Sequence, residues 1–374
     1  MRRIISFAAL LLAVAGGASA QEAAPLPVHV GGRVIAEADG GLSFGWPGVY
    51  FEGRFSGPSV RVRFDSQAES MRLLVDGREW RVFRAGGPVD VTVDGLSPGE
   101  HVVRLEKMTE SQTGGGRFIG FFPVGGTTPL PPLSRARQIE FIGDSWTVGY
   151  GNTSATRTCT VQEVHDLTDT QQAFGPVVAR RFDADYRVNA WSGFGLVRNY
   201  DGGVRDLNLP TVYPRLKPDD VVRIAEADPA WTPRIIVINL GTNDFSTLLH
   251  PDEAWRDEAA LRAAWRDRYV AFVGELRAAQ LQARFILMGS DTFYAEVAAV
   301  AALLNADAPQ LATPVRIDGL DLGGCDWHPS LADETRLAAL VETAITQMGI
   351  WPSTDRPTPL ASTLPPPPPR PRPR

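Results

Sequence analysis

The chain reads as an all-β domain followed by an α/β domain built on a parallel sheet. Three observations carry this. Between about Val28 and Phe122, short apolar-polar alternations recur between Gly and Pro breaks. After a Gly/Pro-rich stretch, strand-like and helix-like runs then alternate, as in a parallel sheet with flanking helices. Finally, the apolar run Ile139, Phe141, Ile142 leads directly into Gly143-Asp144-Ser145. A serine in a turn at the C-terminal end of a parallel strand faces the edge where open α/β sheets bind ligands.

The N-terminus comes first. Met1-Arg2-Arg3, an apolar run from Ile4 to Ala15, and Ala18-Ser19-Ala20 form the pattern of a secretory signal peptide, residues 1–20. The run is short for a membrane span, and no cysteine follows it to take a lipid. The mature protein is therefore expected to be secreted or periplasmic, with no membrane association after cleavage. The net charge of −6, more negative still without Arg2 and Arg3, disfavours a nucleic-acid binder and suits a neutral polymer.

Residues 27–124 read as a β-sandwich or jelly roll. Val60-Arg61-Val62-Arg63-Phe64, Val89-Asp90-Val91-Thr92-Val93 and Val102-Val103-Arg104-Leu105 have strand patterning. Asp76-Gly77 marks a hairpin between Leu73-Leu74-Val75 and the run from Trp80 to Phe83. Residues 125–134, with Gly125-Gly126 and Pro129-Leu130-Pro131-Pro132, read as a linker. Residues 135–350 form the α/β unit. Its strands are expected at Ile139 to Ile142, Tyr186 to Ala190, Ile235 to Leu240 and Phe285 to Met288. Helices are expected at Glu258 to Ala279 and Leu331 to Met348. The tail, residues 351–374, is Pro/Arg-rich and expected to stay extended and unpacked.

Ser145 needs a base. Of five histidines, His328 is best placed, on a loop leading into the last helix. Asp326, two residues earlier, is the candidate to orient its ring, and a backbone carbonyl is the alternative. Acyl transfer also needs donors for a developing oxyanion. Gly193 follows one strand and offers a backbone N–H; Asn243 follows another and offers a side-chain amide. The Ser145 N–H is the third donor. Cys159 and Cys325 pair, or remain two free thiols; a bridge in an oxidising compartment would tie two site loops together. The cysteines and histidines form no zinc-type cluster, so no metal or other cofactor is expected. Trp327, Trp146, Tyr150 and Phe194 sit in the same loops and are candidates to contact the substrate, with core packing as the competing role.

Together, Gly143-Asp144-Ser145, Gly193, Gly241-Thr242-Asn243-Asp244 and His328 resemble the four blocks of the SGNH (GDSL) hydrolase superfamily. The stretches Ile139 to Ser145, Gly149-Tyr150-Gly151-Asn152, Trp191 to Asn199 and Gly324-Cys325-Asp326-Trp327-His328-Pro329-Ser330 are similar to carbohydrate esterase family 2, the acetylxylan-esterase-like enzymes. The resemblance implies a jelly-roll domain before an SGNH hydrolase domain. It implies Ser145 as nucleophile, His328 as base and Gly193 and Asn243 as oxyanion donors, without a cofactor. Some members use a Ser–His dyad, which leaves the role of Asp326 open. The implied substrate is an acetylated polysaccharide such as xylan or mannan. Two other functions compete: a carbohydrate-binding protein without turnover, and a lipase or thioesterase on the same fold.

Overall fold

A computed structural model describes residues 23–110, 114–225 and 228–351. The segment expected to be a signal peptide, residues 1–20, and the tail beyond Trp351 lie outside the described residues. The N-terminal strands are β1 (Val28–Gly31), β2 (Val34–Ala36), β3 (Leu42–Phe44), β4 (Tyr50–Ser56), β5 (Val60–Asp65), β6 (Met71–Val75), β7 (Arg78–Phe83), β8 (Pro88–Val93), β9 (Glu100–Lys107), β10 (Gly116–Pro123) and β11 (Thr128–Leu130). They form two antiparallel sheets. One is ordered β1-β4-β9-β6-β7, with β11 also on β4; the other is ordered β2-β3-β10-β5-β8. Alternation decides which side chains face inward. Val60, Val62 and Phe64 of β5 are buried while Arg61 and Arg63 are not. Phe51 of β4 stacks on Phe118 of β10 at 4.2 Å across the sandwich. Asp76 and Gly77 both have positive φ, which the tight β6–β7 hairpin requires.

Within 125–134, Thr128–Leu130 pairs antiparallel with Arg54–Ser56. The stretch read as a linker therefore contains a strand. Pro129 is tolerated there because β11 is an edge strand.

The second unit carries β12 (Arg137–Gly143), α1 (Ser145–Val148), α2 (Val161–Leu167), α3 (Phe174–Arg181), β13 (Ala184–Ala190), α4 (Leu209–Val212), β14 (Ile235–Asn239), α5 (Thr242–Phe245), α6 (Glu258–Ala279), β15 (Arg284–Ser290), α7 (Tyr294–Asp307), β16 (Ala312–Ile317) and α8 (Leu331–Met348). The five strands pair in parallel throughout, in the order β13-β12-β14-β15-β16. Every residue of β14 is buried, as expected for a strand covered on both faces. Ile236 and Ile238 join one apolar cluster with Trp265 and Tyr269 of α6 and Val297 of α7. Ile235 and Val237 join the opposite cluster with Val178 of α3 and Leu337 and Val341 of α8. Helix α8 begins at a reciprocal cap between Ser330 and Asp333 and stops at Gly349, which has φ 60°.

Polar contacts join the two units. Tyr50 donates to Asp185, Arg72 Nη1 to Asp169 Oδ2 at 2.8 Å, and Arg104 Nη2 to the Tyr186 hydroxyl at 2.7 Å. At the end of β9, Lys107 Nζ meets Glu69 Oε2 at 3.1 Å, both fully buried. Removing only the cation leaves an uncompensated buried carboxylate. Lys107→Met is expected to lose about 3–5 kcal/mol of unfolding free energy, read from urea denaturation.

Candidate active site

Strand order creates the site. β12 lies between β13 and β14, with Gly143 in register with both Ala190 and Asn239. The chain leaves β12 toward β13 and later returns to β14 on the other side, a topological switch point. The loops after these three strands therefore open at one level. They carry Ser145, Gly193 and Asn243.

Ser145 is the first residue of α1. Asp144 caps that turn by accepting the Trp146 N–H at 3.1 Å. Burial pushes the Asp144 carboxyl up to about 7, against the Trp146 hydrogen bond; the nearby Asp244 and Glu110 charges add to the rise.

The Ser145 Oγ and His328 Nε2 are 2.9 Å apart. His328 Nδ1 faces two acceptors, the carbonyls of Cys325 at 3.0 Å and Asp326 at 3.1 Å. Nδ1 must therefore carry the proton, which leaves Nε2 free to accept the Ser145 O–H. Desolvation lowers the His328 pKa, opposed by the two carbonyl bonds and by the Asp326 charge. The ring stays neutral, and competent as a base, to lower pH than a solvated histidine.

At Asp326 the structure differs from the expected carboxylate–imidazole contact. Asp326 and Trp327 have φ of 49° and 62°, in the left-handed region. That turn brings the Asp326 carbonyl to His328, while its carboxylate accepts the Tyr150 hydroxyl at 3.2 Å. The backbone alternative describes this geometry, and Asp326 reaches the imidazole through charge. The Tyr150 ring packs on His328 with centroids 4.3 Å apart. Burial first, then Asp326, raises its phenol to about 12, so it remains a donor.

The histidine loop is tied down by Cys159–Cys325, which form a disulfide. The Asp326 N–H donates to the Arg157 carbonyl at 2.7 Å. Gly151 allows the close approach: a Cβ there would lie 2.4 Å from Cys325 Cβ.

Gly193 has φ 82°, and a Cβ there would meet nothing within 4 Å, so the space beside its Cα is open. Asn243 is buried and donates one amide hydrogen to the Phe194 carbonyl at 2.9 Å. Asp244 accepts the N–H groups of Leu196, Val197 and Arg198 at 2.9–3.0 Å. The block Gly241-Thr242-Asn243-Asp244 thus holds the loop that contains Gly193.

The aromatics divide. Trp327 is 64% exposed, with the Arg157 guanidinium 4.1 Å from its ring centroid. Tyr150 is partly exposed. Trp146 and Phe194, candidates for sugar contact, are buried instead. Trp146 joins the apolar cluster that contains Phe141 and Phe174, and Phe194 stacks on Trp191 at 4.4 Å. Large apolar rings on short loops between strand and core gain more by burial. Sequence reasoning also missed Glu110 and Arg157. Glu110 comes from the other domain and accepts the Ser192 N–H at 2.8 Å. Among the described residues, no group of three or more His, Cys, Asp or Glu could hold a metal ion. Nor is any helix among them long and apolar enough to cross a membrane.

Comparison with known proteins agrees with this geometry. Residues 30–132 match the carbohydrate esterase 2 N-terminal family model, and residues 141–370 match the GDSL-like lipase/acylhydrolase family. An acetylxylan esterase/glucomannan deacetylase of Cellvibrio japonicus (strain Ueda107) is 45% identical over 344 residues, covering 89% of this chain and 94% of the relative. The chain belongs to carbohydrate esterase family 2. It is a carboxylic ester hydrolase.

Solved structures agree with that placement. A carbohydrate esterase whose active site displays divergent catalytic and non-catalytic binding functions superposes with TM-score 0.82 at 43% identity, covering 87% of this chain and 98% of that one. A family two esterase from Clostridium thermocellum in complex with cellohexaose gives 0.74 at 28% identity, covering 86% and 98%.

Proposed function

We propose that this family 2 esterase is exported and removes O-acetyl groups from plant cell-wall polysaccharides, acetylated xylan or glucomannan, through an acyl-enzyme on Ser145. The observation that carries the reading is the 2.9 Å contact of Ser145 Oγ with a histidine whose other nitrogen is held by carbonyls. The 45% identical relative supports the substrate class. Exposed Trp327, which follows the Asp326 that accepts the Tyr150 hydroxyl, supports a flat sugar face as the thing bound.

In the proposed reaction, His328 Nε2 takes the Ser145 proton as Oγ adds to the acetyl carbonyl carbon. The carbonyl oxygen becomes an oxyanion, held by the N–H groups of Ser145 and Gly193 and the Asn243 amide. His328 then gives its proton to the departing sugar oxygen as the ester C–O bond breaks. Water, deprotonated by His328, attacks the acetyl-serine; acetate leaves, and the proton returns to Oγ. These steps use no metal or cofactor. The test is acetate release from acetylated xylan and acetylated glucomannan. Release from either supports the reading. No release by folded protein that still binds these glycans favours binding without turnover.

Asp326 has a distinctive prediction. Because carbonyls orient His328, Asp326→Asn should lower kcat by less than about 10-fold, against ~10⁴ where a carboxylate fixes the tautomer. The Asp326 charge raises the His328 pKa. Its removal lowers that pKa further, so the acid limb of the kcat/KM profile should move to lower pH. A loss of about 10³-fold or more would instead put the carboxylate on the imidazole during turnover.

A further inference from the structure

Glu110 follows β9 and belongs by sequence to the sandwich, yet its carboxylate lies among the loops of the parallel sheet. Its Oε1 accepts the Ser192 N–H at 2.8 Å. It is desolvated there, which raises its pKa against its hydrogen bonds to Ser192, and its charge reaches Asp144 and Tyr150.

The segment that delivers it is clamped from both domains. From the sandwich, buried Lys107 pairs with Glu69 and donates to the Thr109 carbonyl. Thr109 Oγ1 accepts the Ser70 N–H at 2.9 Å and donates to Glu69 at 2.6 Å. From the hydrolase unit, the Thr170 N–H donates to the Met108 carbonyl at 2.8 Å, and the Gln171 amide donates to the Lys107 carbonyl at 3.0 Å. A carboxylate held this firmly is a fixed post.

The post holds the peptide next to Gly193. Other parts of that loop have their own anchors: the Tyr200 N–H on the Gly193 carbonyl at 2.9 Å, Asn243 on the Phe194 carbonyl, and Asp244 on residues 196–198. On the N-terminal side of the turn the Trp191 N–H is held by the Gly143 carbonyl at 3.1 Å, and Glu110 anchors the next N–H, that of Ser192. We propose that Glu110 is a positioning residue for acyl transfer: the sandwich domain reaches across to fix the Ser192 peptide, and thereby the Gly193 N–H, where the oxyanion forms. The inference rests on the esterase reading above. It makes the N-terminal domain part of the catalytic apparatus rather than a neighbour of it.

What the turn needs from Glu110 is an acceptor oxygen at the right reach, not a charge. Full-length wild type, Glu110→Gln, Glu110→Asp and Glu110→Ala are assayed on p-nitrophenyl acetate, with kcat and KM separated and folding checked by thermal unfolding. Gln keeps the acceptor and is expected within about 3-fold of wild-type kcat, whereas Asp, one methylene short, and Ala should lose about 10–100-fold in kcat with KM within about 2-fold. Wild-type kcat in folded Asp or Ala overturns the proposal. So does a Gln variant as slow as Ala, or a loss confined to KM. If Ala fails to fold, the Gln–Asp comparison decides. An inactive wild type removes the esterase reading itself, whereas an active wild type with unaffected variants removes only the role of Glu110.

Discussion

Replacing Ser145 with alanine is expected to reduce acetate release by about 10⁴-fold or more while the protein stays folded. Ser145 is 5% exposed and sits in a one-turn helix capped by Asp144, so losing one oxygen removes little packing. It removes the partner of His328 Nε2 and, in the proposed reaction, the atom that bonds to the acetyl carbon. Members of a nucleophile–base pair act as a unit. Ser145→Ala, His328→Ala and the double variant should therefore be similarly slow, rather than multiplicatively slower. Steady-state acetate release from one polymer, with circular dichroism on each variant, measures this. Glycan binding should survive in Ser145→Ala, since Trp327 and Tyr150 are untouched.

The second large effect is at Asn243. In the proposed role of oxyanion donor, Asn243 matters in the transition state far more than in the bound ester, so Asn243→Ala should lose about 10²–10³-fold in kcat with little change in KM. Asn243 also donates to the Phe194 carbonyl at 2.9 Å, so the substitution should cost about 1 kcal/mol of stability as well. Asn243→Asp separates the two roles. It places a charge where negative charge develops, and should be at least as slow as alanine. Separate kcat and KM values on p-nitrophenyl acetate, alongside urea unfolding, check both parts.

Much of the fold was legible because its periodic segments are strong. Helices at Glu258–Ala279 and Leu331–Met348 and strands at Val60, Val89, Ile139 and Ile235 appear where the patterns place them. β16 was hidden by Pro314, which an edge strand tolerates. α7 was hidden by its Ala-rich run, where Tyr294–Asp307 has no side-chain cap to mark its start. In the site, Ser145, Gly193, Asn243 and His328 follow strand ends or precede a helix, and the structure brings Ser145 to His328. The direction of the Asp326 carboxylate was not legible, since two consecutive positive-φ residues set it. Nor was the burial of Trp146 and Phe194, which depends on what packs over each loop. Glu110 was out of reach for a simpler reason: it is 82 residues from Ser192 in sequence, and only the docking of two domains brings them together.

The central claim is that Ser145 carries the acyl group. The most direct measurement is acid-quenched peptide mass spectrometry after rapid mixing of the enzyme with p-nitrophenyl acetate. One added acetyl group is expected on the peptide containing Ser145, absent from Ser145→Ala. Acetyl on a different side chain of a turning-over enzyme, or wild-type acetate release by Ser145→Ala, would contradict it.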